Sequence, residues 1–418
     1  MVLPAPSITE SATGYIVEWG DVVRCTAKSL RQHTDGVIKA EITVDANMPG
    51  CSWVCLKKPA IINLSSDQTR ERLAKALDER YGKGELDWYA IIEQMSDTIT
   101  QAYRKGEPVY ELWSAGDCTP PNYIVEPYLI KDYPNVFFGD PGSFKSAFAL
   151  IVSLVVALPW DDNTLNMTSP SESLVPLYLD WETDRATIQW TMTRIQRGMN
   201  VDPFYIKYRS CALPLYQDLE QIKEAIDYYG ANLLIIDSLG LASGGEPKET
   251  EPALKFFAAL RQLKTTSLIL GHNSKNSETN KRSIYGNMYY TAQSRNIWEV
   301  RKVAEPDENK IDIALFHRKA PPFDKLRKAQ GYHVEFSRDK ICVTAQEATS
   351  VREFVQGMGT QAQIKDLLLD GELSTSEIAE TLDITDVNCR MALKRLRDKK
   401  EVIKLGNGKY GLLDKFRA

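Results

Sequence analysis

The sequence predicts an α/β fold with a mainly parallel sheet for residues 126–345, and three observations support it. Short apolar runs alternate with amphipathic segments of helical period, as strands and crossover helices do. The apolar runs suit strands of a parallel sheet that is covered on both faces. A glycine-containing turn also joins the first of these strands to an apolar helix.

The elements of this region follow one another regularly along the chain. The predicted strands are NVFFGD, LVPLYLDWE, IKYRS, ANLLIIDS and TSLILGH. The predicted helices are KSAFALIVSLVVAL, RATIQWTMTRIQRGM, LEQIKEAIDYYG and EPALKFFAALRQLK. A further strand is expected to end at Phe316, before His317 and two prolines, and another lies near Tyr332.

Residues 1–125 are predicted to form a separate α+β domain. Alternating segments predict strands broken by a turn at Thr34-Asp35-Gly36. One helix is predicted from a Ser66 cap to Gly82, and a second begins at Asp87. The two prolines of CTPPNY mark the edge of this domain. Nothing in the region has catalytic spacing.

Residues 355–418 are predicted to form a winged helix-turn-helix domain. The pattern is three helices followed by two short strands around Gly406-Asn407-Gly408. Ser374 and Glu377 form a capping-box pattern at the second helix. The third helix is basic and carries Arg390, Lys394, Arg395, Arg397, Lys399 and Lys400. Because Asp383, Asp386 and Asp398 dilute this charge, duplex DNA and a partner protein are both candidate ligands, with DNA favoured.

Composition excludes several classes of protein. The chain has 418 residues, too many for one ordinary core, with 43% hydrophobic and 26% charged residues. No apolar run is long enough for a membrane span, and the N-terminus lacks a signal-peptide pattern, so we expect a cytoplasmic protein without a membrane partner. Seven scattered cysteines indicate reduced thiols rather than a zinc site. A net charge of -5 still allows a local nucleic-acid channel.

The stretch GDPGSFKS resembles a phosphate-binding loop, whose pattern is G-x-x-x-x-G-K-S/T between a strand and a helix. Gly139, Lys145 and Ser146 have the required spacing, and Gly142 lies inside the loop. Phe144 stands where the pattern has glycine, and we expect it to offer its N–H from ordinary φ and ψ angles. The predicted nucleotide-binding residues are Gly139, Asp140, Pro141, Gly142, Ser143, Phe144, Lys145 and Ser146.

Acidic residues end two of the predicted strands. Asp237 follows four apolar residues, as expected for a Walker-B acid that holds magnesium together with Ser146. In LYLDWETD, Glu182 is the preferred residue to polarise the attacking water, and Asp180 is the alternative. Buried strands also end in aspartate for capping reasons, so this signal depends on the loop about ninety residues earlier.

Polar and basic residues follow two later strands. His272 ends TSLILGH and is a candidate sensor of the γ-phosphate. The loop after it, Asn273–Asn287, contains Lys275, Lys281 and Arg282, which suit a mobile segment that contacts a nucleic-acid backbone. The basic residues of FHRKAPP, Arg318 and Lys319, are candidates for an arginine finger in a neighbouring subunit.

With these motifs in order, residues 125–340 resemble the RecA/DnaB-like P-loop ATPases, and most closely the RepA-like hexameric helicases of phages and plasmids. The resemblance implies a RecA-like core that binds ATP and Mg²⁺. It implies that Glu182 is the catalytic glutamate, Asp237 the Walker-B acid and His272 the sensor. It also implies that Arg318 and Lys319 act in trans, with Arg282 and Arg295 as alternatives.

The leading hypothesis is a homo-oligomeric, hexameric ATPase that acts as a replicative helicase of a mobile element. ATP would lie between subunits, single-stranded DNA would pass through a central channel, and replication proteins would be partners. One alternative is a RecA/RadA-like DNA-binding ATPase without unwinding activity. Another is a DNA-binding regulator that senses ATP with little turnover, since fold alone does not fix function.

Overall fold

The computed structural model describes residues 3–11, 13–32, 35–48, 52–106, 109–114, 120–274, 283–304, 309–355, 358–406 and 408–413. The chain forms two compact units. The first comprises Met1–Thr119 and Asp218–Tyr228, and the second comprises Pro120–Gln217 and Tyr229–Ala418. Within the described residues, no helix is both long and apolar enough to cross a membrane.

The first unit packs two helices against a five-stranded antiparallel sheet with the strand order β1-β2-β3-β4-β5. Its strands are β1 (Ser7–Ser11), β2 (Gly14–Trp19), β3 (Val23–Gln32), β4 (Ile38–Asn47) and β5 (Trp53–Asn63). Its helices are α1 (Asp67–Tyr81) and α2 (Trp88–Lys105). Every second residue of β4, from Ile38 to Ala46, is buried, because one face of the sheet packs on the helices.

The helix starts predicted in this unit are observed. The Ser66 side chain accepts a hydrogen bond from the Thr69 N–H, and Asp87 accepts one from the Ala90 N–H. Each cap of this kind stabilises a helix by about 1 kcal/mol. Gly82 follows α1 with a φ of 138°, an angle that favours glycine.

The second unit contains a nine-stranded sheet with the order β10-β9-β11-β12-β8-β13-β14-β15-β16. These strands are β8 (Pro134–Gly139), β9 (Pro176–Asp180), β10 (Lys207–Ser210), β11 (Leu233–Asp237), β12 (Thr266–His272), β13 (Asn296–Ala304), β14 (Lys310–Lys319), β15 (Gln330–Phe336) and β16 (Ile341–Gln346). A small two-stranded sheet precedes them and consists of β6 (Tyr123–Val125) and β7 (Leu129–Ile130).

Helices connect the strands of the large sheet. They are α3 (Lys145–Ala157), α4 (Arg185–Met199), α5 (Leu219–Tyr229), α6 (Leu239–Ser243), α7 (Thr250–Leu263) and α8 (Met288–Gln293). Residues of α5 up to Tyr228 belong to the first unit. Helix α3 is buried along nearly its whole length, which explains its almost continuously apolar sequence.

The six strands from β10 to β13 are parallel, and the remaining three are antiparallel. This confirms the predicted α/β class and the mainly parallel sheet. The register places Gly139 beside His272, and Asp237 beside Asp180. The carboxyl ends of four neighbouring strands therefore meet at one edge of the sheet, where ligands bind in α/β folds.

One predicted strand end was wrong. The strand expected to stop at Phe316 continues as β14 through Lys319. His317 pairs with Trp298 and Lys319 pairs with Ile297 of β13, so the charged residues remain in the ladder. The strand persists because its polar side chains have partners on β13 and α8, which the sequence alone did not show.

The C-terminal part consists of a short 3-10 turn, four helices and a hairpin. These are the turn Ala348–Ser350, the helices α9 (Arg352–Val355), α10 (Thr360–Leu367), α11 (Thr375–Thr381) and α12 (Asp386–Asp398), and the strands β17 (Val402–Lys404) and β18 (Tyr410–Leu412). The predicted capping box is present, because the Ser374 and Glu377 side chains bond each other's backbone N–H groups. Ile364, Ile378, Leu393 and Leu396 share one small core.

Candidate active site at the carboxyl edge of the sheet

The loop between β8 and α3 is shaped by residues that only partly follow the predicted pattern. Gly139 is required, because a Cβ there would lie 2.3 Å from the Val300 carbonyl oxygen. Gly142 has a φ of 71°. Phe144, the N-cap of α3, has a φ of 74° and a ψ of 11°. The expectation of ordinary backbone angles at Phe144 was therefore wrong, since the residue adopts the left-handed conformation of the glycine that it replaces.

The Lys145 ammonium lies inside the loop. Its Nζ donates to the carbonyl oxygens of Gly139 and Asp140, at 3.1 and 2.8 Å, and it is 3.3 Å from the Ser143 Oγ. Burial lowers the pKa of Lys145, and the nearby carboxylates of Asp237 and Glu182 oppose that effect. The cation is thus fixed where a polyphosphate on the N-terminus of α3 would meet it.

The remaining loop residues differ in exposure. Asp140 and Pro141 are exposed, whereas the Ser143 side chain is buried and its N–H donates to the Asp140 carbonyl at 3.2 Å. The Asp140 carboxylate accepts a 3.0 Å hydrogen bond from the side-chain amide of Asn273, the residue after β12. Asn273 also donates its backbone N–H to the Gly139 carbonyl at 3.2 Å. The loop is therefore tied to the neighbouring strand.

Asp237 lies at the end of β11, beside the loop. It is 3% exposed and accepts a 2.6 Å hydrogen bond from the Tyr178 hydroxyl. Burial raises the pKa of Asp237, while hydrogen bonds from Tyr178 and Ser146 work in the opposite direction. A hydroxyl and a carboxylate next to each other are the hard oxygen ligands that suit Mg²⁺. The described residues include no cluster of three or more His, Cys, Asp or Glu that could enclose a metal.

The two carboxylates of the LYLDWETD stretch have different environments. Asp180 is 1% exposed and accepts hydrogen bonds from the backbone N–H groups of Glu182 and Thr183 and from the hydroxyls of Thr183 and Tyr208, at 2.7 to 3.0 Å. Three of these bonds come from the turn that follows β9, and the fourth comes from Tyr208 of β10. Asp180 therefore orients Glu182 through its backbone N–H.

Glu182 is accessible and faces the other catalytic candidates. Its side chain is 32% exposed, and its Oε1 accepts a hydrogen bond from the Ser238 hydroxyl. The same Oε1 lies 3.3 Å from the His272 Nε2. The hydrogen bond from His272 is the largest cause that lowers the pKa of Glu182, followed on the lowering side by the bond from Ser238. Glu182 is thus held ionised at neutral pH, as a general base must be.

The structure brings Lys145, Ser146, Glu182, Asp237 and His272 to one edge of the sheet. Two residues of this edge were missed from the sequence as site residues, Ser238 and Asn273. Ser238 directly follows the predicted strand-end acid, which was an available signal. Asn273 was assigned only to the loop after β12, and no sequence pattern linked it to Asp140.

The basic residues at the end of β14 lie apart from this group. The register sets Lys319 level with Ile297, which in turn pairs with Val136 near the start of β8. The Lys319 ammonium donates to the carbonyls of Thr291 and Ala292 at the end of α8, at 2.8 and 2.9 Å. Lys319 is therefore held by α8 and not by the phosphate-binding loop.

Arg318 is held by a buried carboxylate. Glu299 is fully buried and pairs with Arg318 and with Arg301. Both guanidinium groups also lie over the ring of Phe316, at 5.0 and 4.7 Å. Arg295 is exposed at the same edge as Lys319. The other predicted cations, Lys275, Lys281 and Arg282, lie outside the described residues.

Comparison with known proteins agrees with this geometry. Residues 104–278 match a family model described as an AAA domain. This range contains the loop, Glu182, Asp237 and His272, and the match supports the P-loop ATPase core predicted for the central region. Functionally curated proteins show no match to the chain.

Among solved structures, a KaiC-like protein from the hyperthermophilic archaeon Pyrococcus horikoshii is similar. It is 15% identical, with a TM-score of 0.36, and the match covers 53% of this chain and 93% of that protein.

Proposed function

We propose that this chain hydrolyses ATP at the carboxyl edge of its large sheet and uses the reaction to act on DNA. The observation that carries the proposal is the placement of Glu182, which is ionised, accessible and fixed by His272 and Ser238 beside Lys145 and Asp237. Asp180, by contrast, is buried and accepts four hydrogen bonds from the turn and from Tyr208.

Hydrolysis at this site requires a water in line with the bond between the β- and γ-phosphates. The backbone N–H groups at the start of α3 and the Lys145 ammonium bind the phosphate oxygens. Glu182 accepts a proton from the water. At the same time the water oxygen bonds to the γ-phosphorus, and the bond between the γ-phosphorus and the ADP oxygen breaks. General-base catalysis of this kind accelerates a reaction about 10²- to 10⁴-fold.

Magnesium fits the residues present. Ser146 and Asp237 would hold the ion, one through its hydroxyl and the other through its carboxylate, and the remaining positions would be filled by phosphate oxygens and water. When bound, the ion supplies neutralisation of charge on the phosphates. Tyr178 keeps the Asp237 carboxylate oriented through its 2.6 Å hydrogen bond.

We propose that the active form is a RecA-like homo-oligomer, and a hexamer if the resemblance to RepA-like helicases holds. The support is the position of Arg318 and Lys319 on the antiparallel strand β14, outside the group of Lys145, Glu182 and Asp237, which leaves them as candidates for the nucleotide of another copy. Because Arg318 is paired with Glu299 and Lys319 with α8, the exposed Arg295 is an equal candidate for the finger.

Mixing variants tests this arrangement. Lys145→Ala and Arg318→Ala subunits should each be inactive alone, and mixing them should restore part of the activity at interfaces that combine one intact residue from each. Mixing Lys145→Ala with Arg295→Ala subunits in the same way tests Arg295 as the arginine finger instead of Arg318. Arg72→Ala, an exposed arginine of the first unit, is the control. Loss of activity that no mixture restores would contradict action in trans.

The C-terminal helices support DNA as the partner. All six basic residues of the α12 region are exposed, while Cys389, Ala392, Leu393 and Leu396 face the small core. Three helices followed by a hairpin suit a winged helix, which supports that proposal. Lys394→Glu should weaken DNA binding and flatten its dependence on salt, whereas Asp398→Asn should not.

We further propose that ATP hydrolysis drives the unwinding of duplex DNA. A replicative helicase of a mobile element should displace a strand from forked DNA in the presence of ATP and Mg²⁺, and the Glu182→Gln variant should not. DNA-dependent hydrolysis without strand displacement would favour a DNA-binding ATPase that does not unwind.

A further inference from the structure

We propose that Phe144 is a positioning residue of the phosphate-binding loop, locked in its left-handed conformation by Phe336 and Arg194. The inference rests on the proposed function only in that a polyphosphate binds at this loop. It assigns a purpose to the side chain that replaces the glycine of the usual pattern.

The backbone of Phe144 is strained. A φ of 74° is readily adopted by glycine, but it is unfavourable for a residue with a bulky side chain. The same residue caps α3, so its angles set the direction of the first N–H groups of that helix. A loop that relaxed at Phe144 would misdirect the groups that bind phosphate.

A specific ring contact opposes this relaxation. The rings of Phe144 and Phe336 meet edge to face, with centroids 5.8 Å apart and planes at 83°. Phe336 ends β15 and is itself held, because its N–H donates to the Asn309 carbonyl at 2.7 Å. Phe144 also packs against the main core of the unit. A glycine at position 144 would have neither contact.

Helix α4 completes the anchor. The Arg194 guanidinium lies 6.0 Å from the centroid of the Phe336 ring and donates to the Ser337 carbonyl at 2.6 Å. The helix approaches the next strand closely, since a Cβ at Gly198 would lie 2.0 Å from the Ile341 carbonyl oxygen. Helix α4 begins shortly after Glu182. One set of contacts therefore fixes both the phosphate-binding loop and the helix that follows the general base.

The test is a double-mutant cycle between Phe144→Gly and Phe336→Ala. The affinities of ATP and of inorganic tripolyphosphate, each with Mg²⁺, are measured by calorimetry. Phe336→Ala should weaken both about five- to tenfold, which corresponds to about 1 to 1.4 kcal/mol, the range of an edge-to-face pair. In the Phe144→Gly background the same change should have less than a twofold effect, since glycine needs no anchor.

Controls separate this effect from general damage. Phe336 is half-buried, so the variant should fold, and its thermal unfolding should be checked. Phe336→Leu keeps apolar volume and should weaken both ligands by a smaller factor. Phe323→Ala removes another partly exposed ring of the same unit and should leave both affinities unchanged.

Three results would overturn the inference. Equal effects of Phe336→Ala in the two backgrounds would show that the Phe336 ring does not act through Phe144. Unchanged affinities in both backgrounds would show that the ring does not support ligand binding at all. Weaker ATP binding with unchanged tripolyphosphate binding would show a contact with the nucleobase instead. Wild-type protein that binds neither ligand, or binds them equally well after Lys145→Ala, would refute the proposed function itself.

Discussion

Exchanging two nearby carboxylates for amides, Glu182→Gln and Asp180→Asn, should affect different properties of the protein. Glu182 is partly exposed and shares one oxygen between Ser238 and His272, so glutamine can retain its shape and its neutral contacts. We expect a change of at most about 0.5 kcal/mol in the free energy of unfolding. Loss of the base should slow hydrolysis about 10²- to 10⁴-fold, or about 3 to 5 kcal/mol in the barrier.

Asp180→Asn should mainly lower the free energy of unfolding. One Asp180 oxygen, Oδ2, accepts from the hydroxyls of Thr183 and Tyr208 at 2.7 and 3.0 Å in a buried site. An amide nitrogen cannot accept these bonds, and hydrogen bonds to a charged group contribute about 1.5 to 3 kcal/mol each. We expect about 2 to 3 kcal/mol of destabilisation, because the hydroxyls can reorient and recover part of the loss.

The assay compares three quantities for both variants. They are the free energy of unfolding from denaturant titration, the affinity for ATP, and the single-turnover rate of hydrolysis. Both variants should bind ATP, since neither residue contacts the phosphate-binding loop directly. An Asp180→Asn variant that is stable but inactive, together with an active Glu182→Gln variant, would refute the assignment of the base.

Three further substitutions test other contacts of the structure. His317 is 6% exposed, stacks on Trp298 and has its pKa lowered to about 4, first by burial. Its contribution to stability is present above pH 6.5 and is lost as pH falls towards 4, so denaturant titration should show a loss of about 3 kcal/mol that His317→Gln reduces. His272→Ala should raise the pKa of Glu182, and the acid limb of the rate profile should move to higher pH. Ser374→Ala should destabilise the C-terminal helices by about 1 kcal/mol in thermal unfolding, with ATP hydrolysis unchanged.

Local patterns in the sequence predicted most of the central fold. Strand β11 is fully buried and helix α3 nearly so, and both read as continuous apolar runs. The helix caps at Ser66 and Ser374 were equally visible, because their partners lie within three residues. Such features depend on nearby residues only, and a single sequence contains them all.

Features that depend on distant residues were not predictable. The backbone angle of Phe144 depends on Phe336, which lies far along the chain in β15. The continuation of β14 depends on partners in β13, including the pair of Arg318 with Glu299 and the stacking of His317 on Trp298. The sequence also left Asp180 open as an alternative to Glu182 for the general base, because only the folded structure shows which carboxylate accepts the hydrogen bonds around the turn.

The most direct test of the account is the rate of ATP hydrolysis with and without single-stranded DNA, with Lys145→Ala as the control. We predict hydrolysis that rises in the presence of DNA and disappears in the variant, since Lys145 is fixed inside the loop beside Asp237 and Glu182. Wild-type protein that binds ATP yet turns it over at the background rate under both conditions would contradict the central claim. That result would favour a DNA-binding regulator that senses ATP.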